Sequence, residues 1–121
     1  MAVRTTGGAT IASHVTTAAS FWARFRGLMG RRALPAGDGL WFPRTSSIHM
    51  LFMRFPIDCL FLSRPAADDT RQVVAVRHAL PPWRGIVWTV RGADGVVELP
   101  AGTLARAGVA VGDRVALEAA S

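Results

Sequence analysis

After Gly39 the sequence is divided by turn residues into apolar segments a few residues long, and this division decides the fold class. Residues 40–42, 48–53, 58–62, 73–76, 87–90 and 96–99 are rich in valine, isoleucine, leucine and phenylalanine. Pro43, the Phe55-Pro56 step, Pro65, the Pro81-Pro82 pair and the glycines at 92 and 95 separate them. Short β-branched and aromatic segments with such punctuation read as strands. A parallel βαβ layout would need a helix between each pair, so the spacing predicts an antiparallel sandwich or barrel.

Two stretches depart from this pattern. Phe21, Trp22, Phe25, Leu28 and Met29 recur at helical steps, so residues 17–29 predict an amphipathic helix. Thr16 or Thr17 would cap its start and Gly30 would end it, with Arg24, Arg31 and Arg32 largely on its outer face. A shorter helix is expected over 104–107, capped by Thr103 and stopped by Gly108. Gly112-Asp113 then turns into a last strand over 114–118. Residues 9–15 predict a strand, whereas 1–8 are small and polar and are expected to be loosely held. The expected molecule is one α+β domain over 9–118. It would be mostly antiparallel β, a partly closed small barrel or sandwich with the N-terminal helix packed against it.

Composition narrows the function classes. Half of the 121 residues are hydrophobic, enough for a dense core with apolar surface left over for a partner or for self-association. The longest apolar tract, 48–62, carries His49, Arg54, Pro56 and Asp58 and is too broken to span a bilayer, which takes about 20 apolar residues. The N-terminus lacks the apolar run and small-residue site of a secretory signal, so a cytoplasmic location and no membrane partner are expected. Cys59 is the only cysteine, which excludes an internal disulfide and any zinc site built from cysteine pairs. The net charge of +6 raises the question of nucleic acid. All 14 basic residues are arginine, with no lysine, and most are scattered singly. Only Arg24, Arg26, Arg31 and Arg32 gather, and they are the residues a nucleic-acid reading would use.

Several short motifs occur in order: Gly27-Leu28-Met29 with Arg31 or Arg32, then Gly39 and Phe42, then His49, Met53, Pro56, Asp58 and Phe61. Glu98-Leu99-Pro100-Ala101-Gly102 follows, and then Gly108 and Gly112-Asp113. In that order and spacing the chain resembles the bacterial and archaeal family catalogued as domain of unknown function 192. The resemblance implies a compact β-rich fold with a helix against it and implies no established activity. Some members of that family look exported behind a signal peptide, so the resemblance carries no location.

A site is expected in the 48–59 segment. A hairpin turning over residues 54–57 would pair Met53 with Asp58 and His49 with Leu62, placing His49, Met53 and Asp58 on one face. His49 and Asp58 would then stand on the order of 13 Å apart, beyond the reach of a catalytic pair. A soft-metal site from His49, Met50, Met53 and Cys59 is disfavoured because strand alternation points the four in opposite directions. Arg54 and Asp58 would bracket the turn as an ion pair. The functional alternative is that Arg54 and His49 present a small basic cleft to an anionic ligand, with Glu98 and Asp58 orienting them. Glu98 to Thr103 reads as a strand-to-helix corner. Trp83 and Trp88, near Arg84 and Arg91, suit protein contact, for which tryptophan and arginine are enriched.

The leading expectation is therefore a non-enzymatic binding or interaction module for a small ligand or a protein, with His49, Met53, Arg54, Asp58 and Glu98 lining the site. No catalytic residue, metal or cofactor is expected. The alternatives are a nucleic-acid-associated basic protein and a hydrolase-like enzyme that would use His49, Asp58 and Glu98.

Overall fold

The computed structural model describes residues 1–17, 34–49 and 55–119. In chain order these form β1 (Ala2–Thr5), β2 (Thr10–Ala12), β3 (His14–Thr17), β4 (Asp38–Pro43), β5 (Ile48–His49) and β6 (Ile57–Leu62). Then come β7 (Arg71–Leu80), β8 (Ile86–Val87), β9 (Gly95–Pro100), helix α1 (Thr103–Ala107) and β10 (Arg114–Glu118).

Eight strands make one sheet in the order β2-β1-β10-β7-β6-β9-β4-β3, and β5 and β8 form a separate two-stranded ribbon. β6, Ile-Asp-Cys-Leu-Phe-Leu, is buried at every position. It lies between β7 and β9 and is covered on both faces, which is why it reads as an almost unbroken apolar run. Alternation divides its side chains. Leu60 and Leu62 join Val3, Trp41, Val97, Leu99, Leu104 and Val115 in one core cluster. Ile57, Cys59 and Phe61 join Leu40, Ala75, Val87 and Val96 in the other. Gly95 belongs to this packing, since the Trp41 ring lies over it and leaves no room for a Cβ.

The expected barrel or sandwich is not what forms. The strand order is open, with β2 and β3 at its edges. Met1 and Val15 exchange backbone hydrogen bonds of 3.0 and 2.7 Å, which brings the two ends of the sheet together. That contact does not grow into a closing ladder, because from Val3 onward the free side of β1 is taken by β2. The sheet is also not wholly antiparallel: β3 and β4 pair parallel, from His14↔Asp38 to Thr17↔Trp41. The predicted helix over 17–29 lies outside the described residues, apart from Thr17, which ends β3.

Three further expectations change. The opening residues, expected to be loose, contain β1, which pairs with β10 from Ala2↔Glu118 to Thr5↔Val115 and buries Val3 completely. One alternating position was enough, because two neighbouring strands supply the ladder. The hairpin between 48–53 and 58–62 does not form: both edges of β6 are occupied, and β5 instead pairs with β8, His49 opposite Ile86. Thr103 does not cap α1. Its hydroxyl donates to the Pro100 carbonyl at 2.7 Å, and the N-cap position is Gly102 at φ 93°. Gly108, as expected, closes the helix in the left-handed conformation. No helix among the described residues is long and apolar enough to cross a membrane.

Candidate functional site

Asp58 is fully buried, and its carboxylate accepts three backbone hydrogen bonds. Oδ1 takes the Ala79 N–H at 2.8 Å, and Oδ2 takes those of Gly102 and Leu104 at 3.0 Å each. Ala79 sits at φ 48° beside a register shift between β6 and β7, so Asp58 braces that irregularity and also supplies the cap that α1 lacks from its own sequence. A carboxylate so engaged is a structural joint and has no free oxygen aimed at a ligand.

Glu98 lies on the other face. In the β6–β9 register Cys59 stands opposite Glu98 while Asp58 stands opposite Leu99, so alternation separates the two carboxylates. The structure therefore does not bring Asp58 and Glu98 into one concave site, as both the basic cleft and the hydrolase arrangement require. Burial pushes the Glu98 carboxyl up to about 7. Burial likewise drives the Cys59 thiol far above its usual range, Glu98 and Asp58 add to the rise, and Arg77 opposes it. Such a thiol is a packing group and a poor nucleophile. The backbone of His49 lies in β5, and its side chain is outside the description. Met53, Arg54, Arg24, Arg26, Arg31 and Arg32 also lie outside the described residues. Among the described residues no three His, Cys, Asp or Glu side chains gather as a metal ion would need.

The structure offers a different site. An open groove of about 640 Å³ runs beside β7, lined by Val74, Val76 and Arg77 on one wall, Trp88 and Arg91 on the other, and Val111 at one end. Its first wall exists because β7 outruns its neighbour. β10 pairs with β7 only at Arg71 and Gln72. Val73 then closes the ladder by donating to the Asp113 carbonyl and accepting from the Gly112 N–H, at 2.7 and 2.9 Å. From Val74 to Leu80 the outer edge of β7 has no ladder partner among the described residues.

The second wall is held in place although its tip is exposed. Chain reversal at Pro81 and Pro82, with the Gly85 N–H donating to the Pro81 carbonyl at 2.9 Å, sends the chain into β8. Val87 is buried and paired with Ile48, and the Val90 N–H donates to the Ser46 carbonyl at 2.7 Å. The Asp94 N–H binds the Leu62 carbonyl, and its carboxylate meets Arg71 at 3.5 Å. Arg71 in turn lies 4.9 Å from the centroid of the buried Trp41 ring. Between these anchors the Trp88 side chain is 80% exposed. Among the described residues neither Arg77 nor Arg91 has a carboxylate partner. Sequence reading found Trp88 and Arg91 through their proximity in the chain. It missed Val74, Val76, Arg77 and Val111, because an unfilled strand edge leaves no mark in a list of residues.

Over residues 2–117 the chain matches the model of domain of unknown function 192, described as an uncharacterized ACR. The chain belongs to that family. This family member is similar to the UPF0127 protein of Thermococcus sibiricus, with 33% identity over 95% of this chain and 73% of the relative. It is also similar to the UPF0127 protein of Pyrococcus furiosus, at 36% identity over 91% of each. Among solved structures it resembles one from Sinorhizobium meliloti described as a "putative transcription regulator", with a TM-score of 0.66, 26% identity and coverage of 94% and 88%. A second, a protein of unknown function from Novosphingobium aromaticivorans, has a TM-score of 0.69, 24% identity and coverage of 96% and 82%, and shows the likeness of fold.

Proposed function

We propose that this protein is a non-enzymatic binding module whose β7 groove takes a partner presenting apolar and anionic groups. One observation carries the reading: an indole that is 80% exposed, on a segment pinned at Val87 and Val90, faces a groove flanked by Arg77 and Arg91. Burying such an indole against a partner contributes on the order of 2 kcal/mol, and an anion between two arginines fixes its orientation. The expected basic cleft thus moves from the 48–59 segment to the β7 edge.

The test is an amide-resolved NMR titration with acetate, phenylacetate and N-acetyl-valyl-glutamate at millimolar concentration. Perturbations should gather at residues 74–77, 86–91 and 111, grow with the apolar size of the carboxylate, and vanish in Trp88→Ala. Scattered or absent shifts would reject the groove as a binding site.

A second reading, association with single-stranded nucleic acid, has two observations in its favour. The Sinorhizobium protein bears a regulator's description, and exposed tryptophan beside arginine suits base stacking. A gel shift with an oligothymidylate and an RNA of equal length at physiological salt decides it. Retarded bands would favour nucleic acid, and unshifted bands would remove it.

A further inference from the structure

We infer that the occupant of the groove is an extended acidic peptide segment, added as a strand to the outer edge of β7. This rests on the groove reading above and names the partner's class. Residues 74 to 78, up to the left-handed Ala79 whose N–H is held by Asp58, present five residues of edge with no ladder partner among the described residues, about 16 Å at roughly 3.3 Å per residue. A β-edge is a template for any extended chain, and strand addition is a recurring way to bind peptides. Here the edge faces a groove instead of open solvent, and the far wall is already fixed, so an entering strand meets side chains on a prepared surface.

Charge selects the peptide. Arg77 lies along the edge, its Nη1 donating to the Val76 carbonyl at 2.9 Å, and Arg91 stands on the opposite wall. Glutamate or aspartate in the added strand would meet both. A second copy of this chain is a poorer occupant. Antiparallel pairing of two β7 edges would set arginine-bearing edges of two +6 molecules against each other. Nucleic acid could stack on Trp88 but has no backbone amides to complement the edge.

The experiment begins with random dodecapeptides displayed on phage and selected on the full chain. The most enriched sequence is then synthesised and its affinity measured by fluorescence anisotropy in about 0.1 M salt, where the Debye length is about 10 Å. Enriched sequences should alternate apolar and acidic residues. N-methylation of one alternating set of the peptide's backbone amides should weaken binding tenfold or more, while the other set changes it less than threefold. Because these changes are in the ligand, the protein's folding is not at stake. Arg77→Gln with Arg91→Gln should weaken binding about tenfold and flatten its salt dependence.

Equal effects of the two N-methyl sets on a peptide that maps to the groove would overturn strand addition and leave the groove reading standing. Failure to enrich any peptide, with phenylacetate still perturbing the groove amides, would overturn the peptide class alone. Failure of both probes would end both readings. Displacement of the selected peptide by an equimolar oligothymidylate, or sedimentation as a dimer that the peptide dissociates, would overturn the assignment in favour of nucleic acid or a second copy.

Discussion

Glu98 titrates in the range where cells live, and its sign is the reverse of the usual carboxylate. Burial raises it to about 7 in the folded chain, from an ordinary value of 4.5. Between those two values the folded protein holds a proton that the unfolded chain has lost, so stability falls as pH rises from about 4.5 to 7 and is level above. At about 1.4 kcal/mol for each pH unit the whole loss is on the order of 3 kcal/mol. Glu98→Gln keeps the shape and removes the titration. Urea melts at pH 5 and pH 8 should show the native chain weaker at pH 8 and the variant nearly equal at both, and parallel pH slopes would refute the assignment. The sequence marks Glu98 as one carboxylate in an otherwise apolar segment. It could not show which face the side chain takes, because that depends on the pairing of Cys59 with Glu98 across two strands.

At the scale of elements, most strands after residue 39 were legible because turn residues bound them, and their extents shift by only a few residues. β7 was the exception, expected over 73–76 and running from Arg71 to Leu80. Polar Arg71, Gln72, Arg77 and His78 hid its ends. The cap of α1 was illegible for another reason: Asp58 is 44 and 46 residues from the amides it binds, and local spacing does not reach so far. Asp58→Ala leaves the N–H groups of buried Leu104, half-buried Gly102 and exposed Ala79 without their acceptor. At roughly 1 to 3 kcal/mol for each lost charged bond, the cost should be about 4 kcal/mol. Urea denaturation measures the total, and hydrogen exchange should accelerate at those three amides first. Uniform acceleration across the sheet would count against a local joint.

For the whole molecule, the β-rich class and the family followed from residue order alone, while openness, the parallel β3–β4 pair and the groove depended on which edges meet. The first strand makes the difference measurable. Deleting residues 1–5 removes Val3 from the core and leaves β10 and β2 without their shared neighbour. We expect the melting temperature to fall by about 10 °C, given about 4 °C for each kcal/mol at a length between small and mid-sized domains. An unchanged melting curve would mean that the opening residues are the loose tail their composition suggests.

The pairing of Ala2 with Glu118 has a consequence for the order of events at the ribosome. β1 is made before the other strands and its principal partner, β10, after them, so until β10 emerges β1 has only β2 as a ladder partner. A two-stranded ribbon of this kind is marginal in water. The sheet is therefore completed only after the last strand has emerged. During that interval Val3 and the amides of β1 are the surface a nascent-chain chaperone would meet.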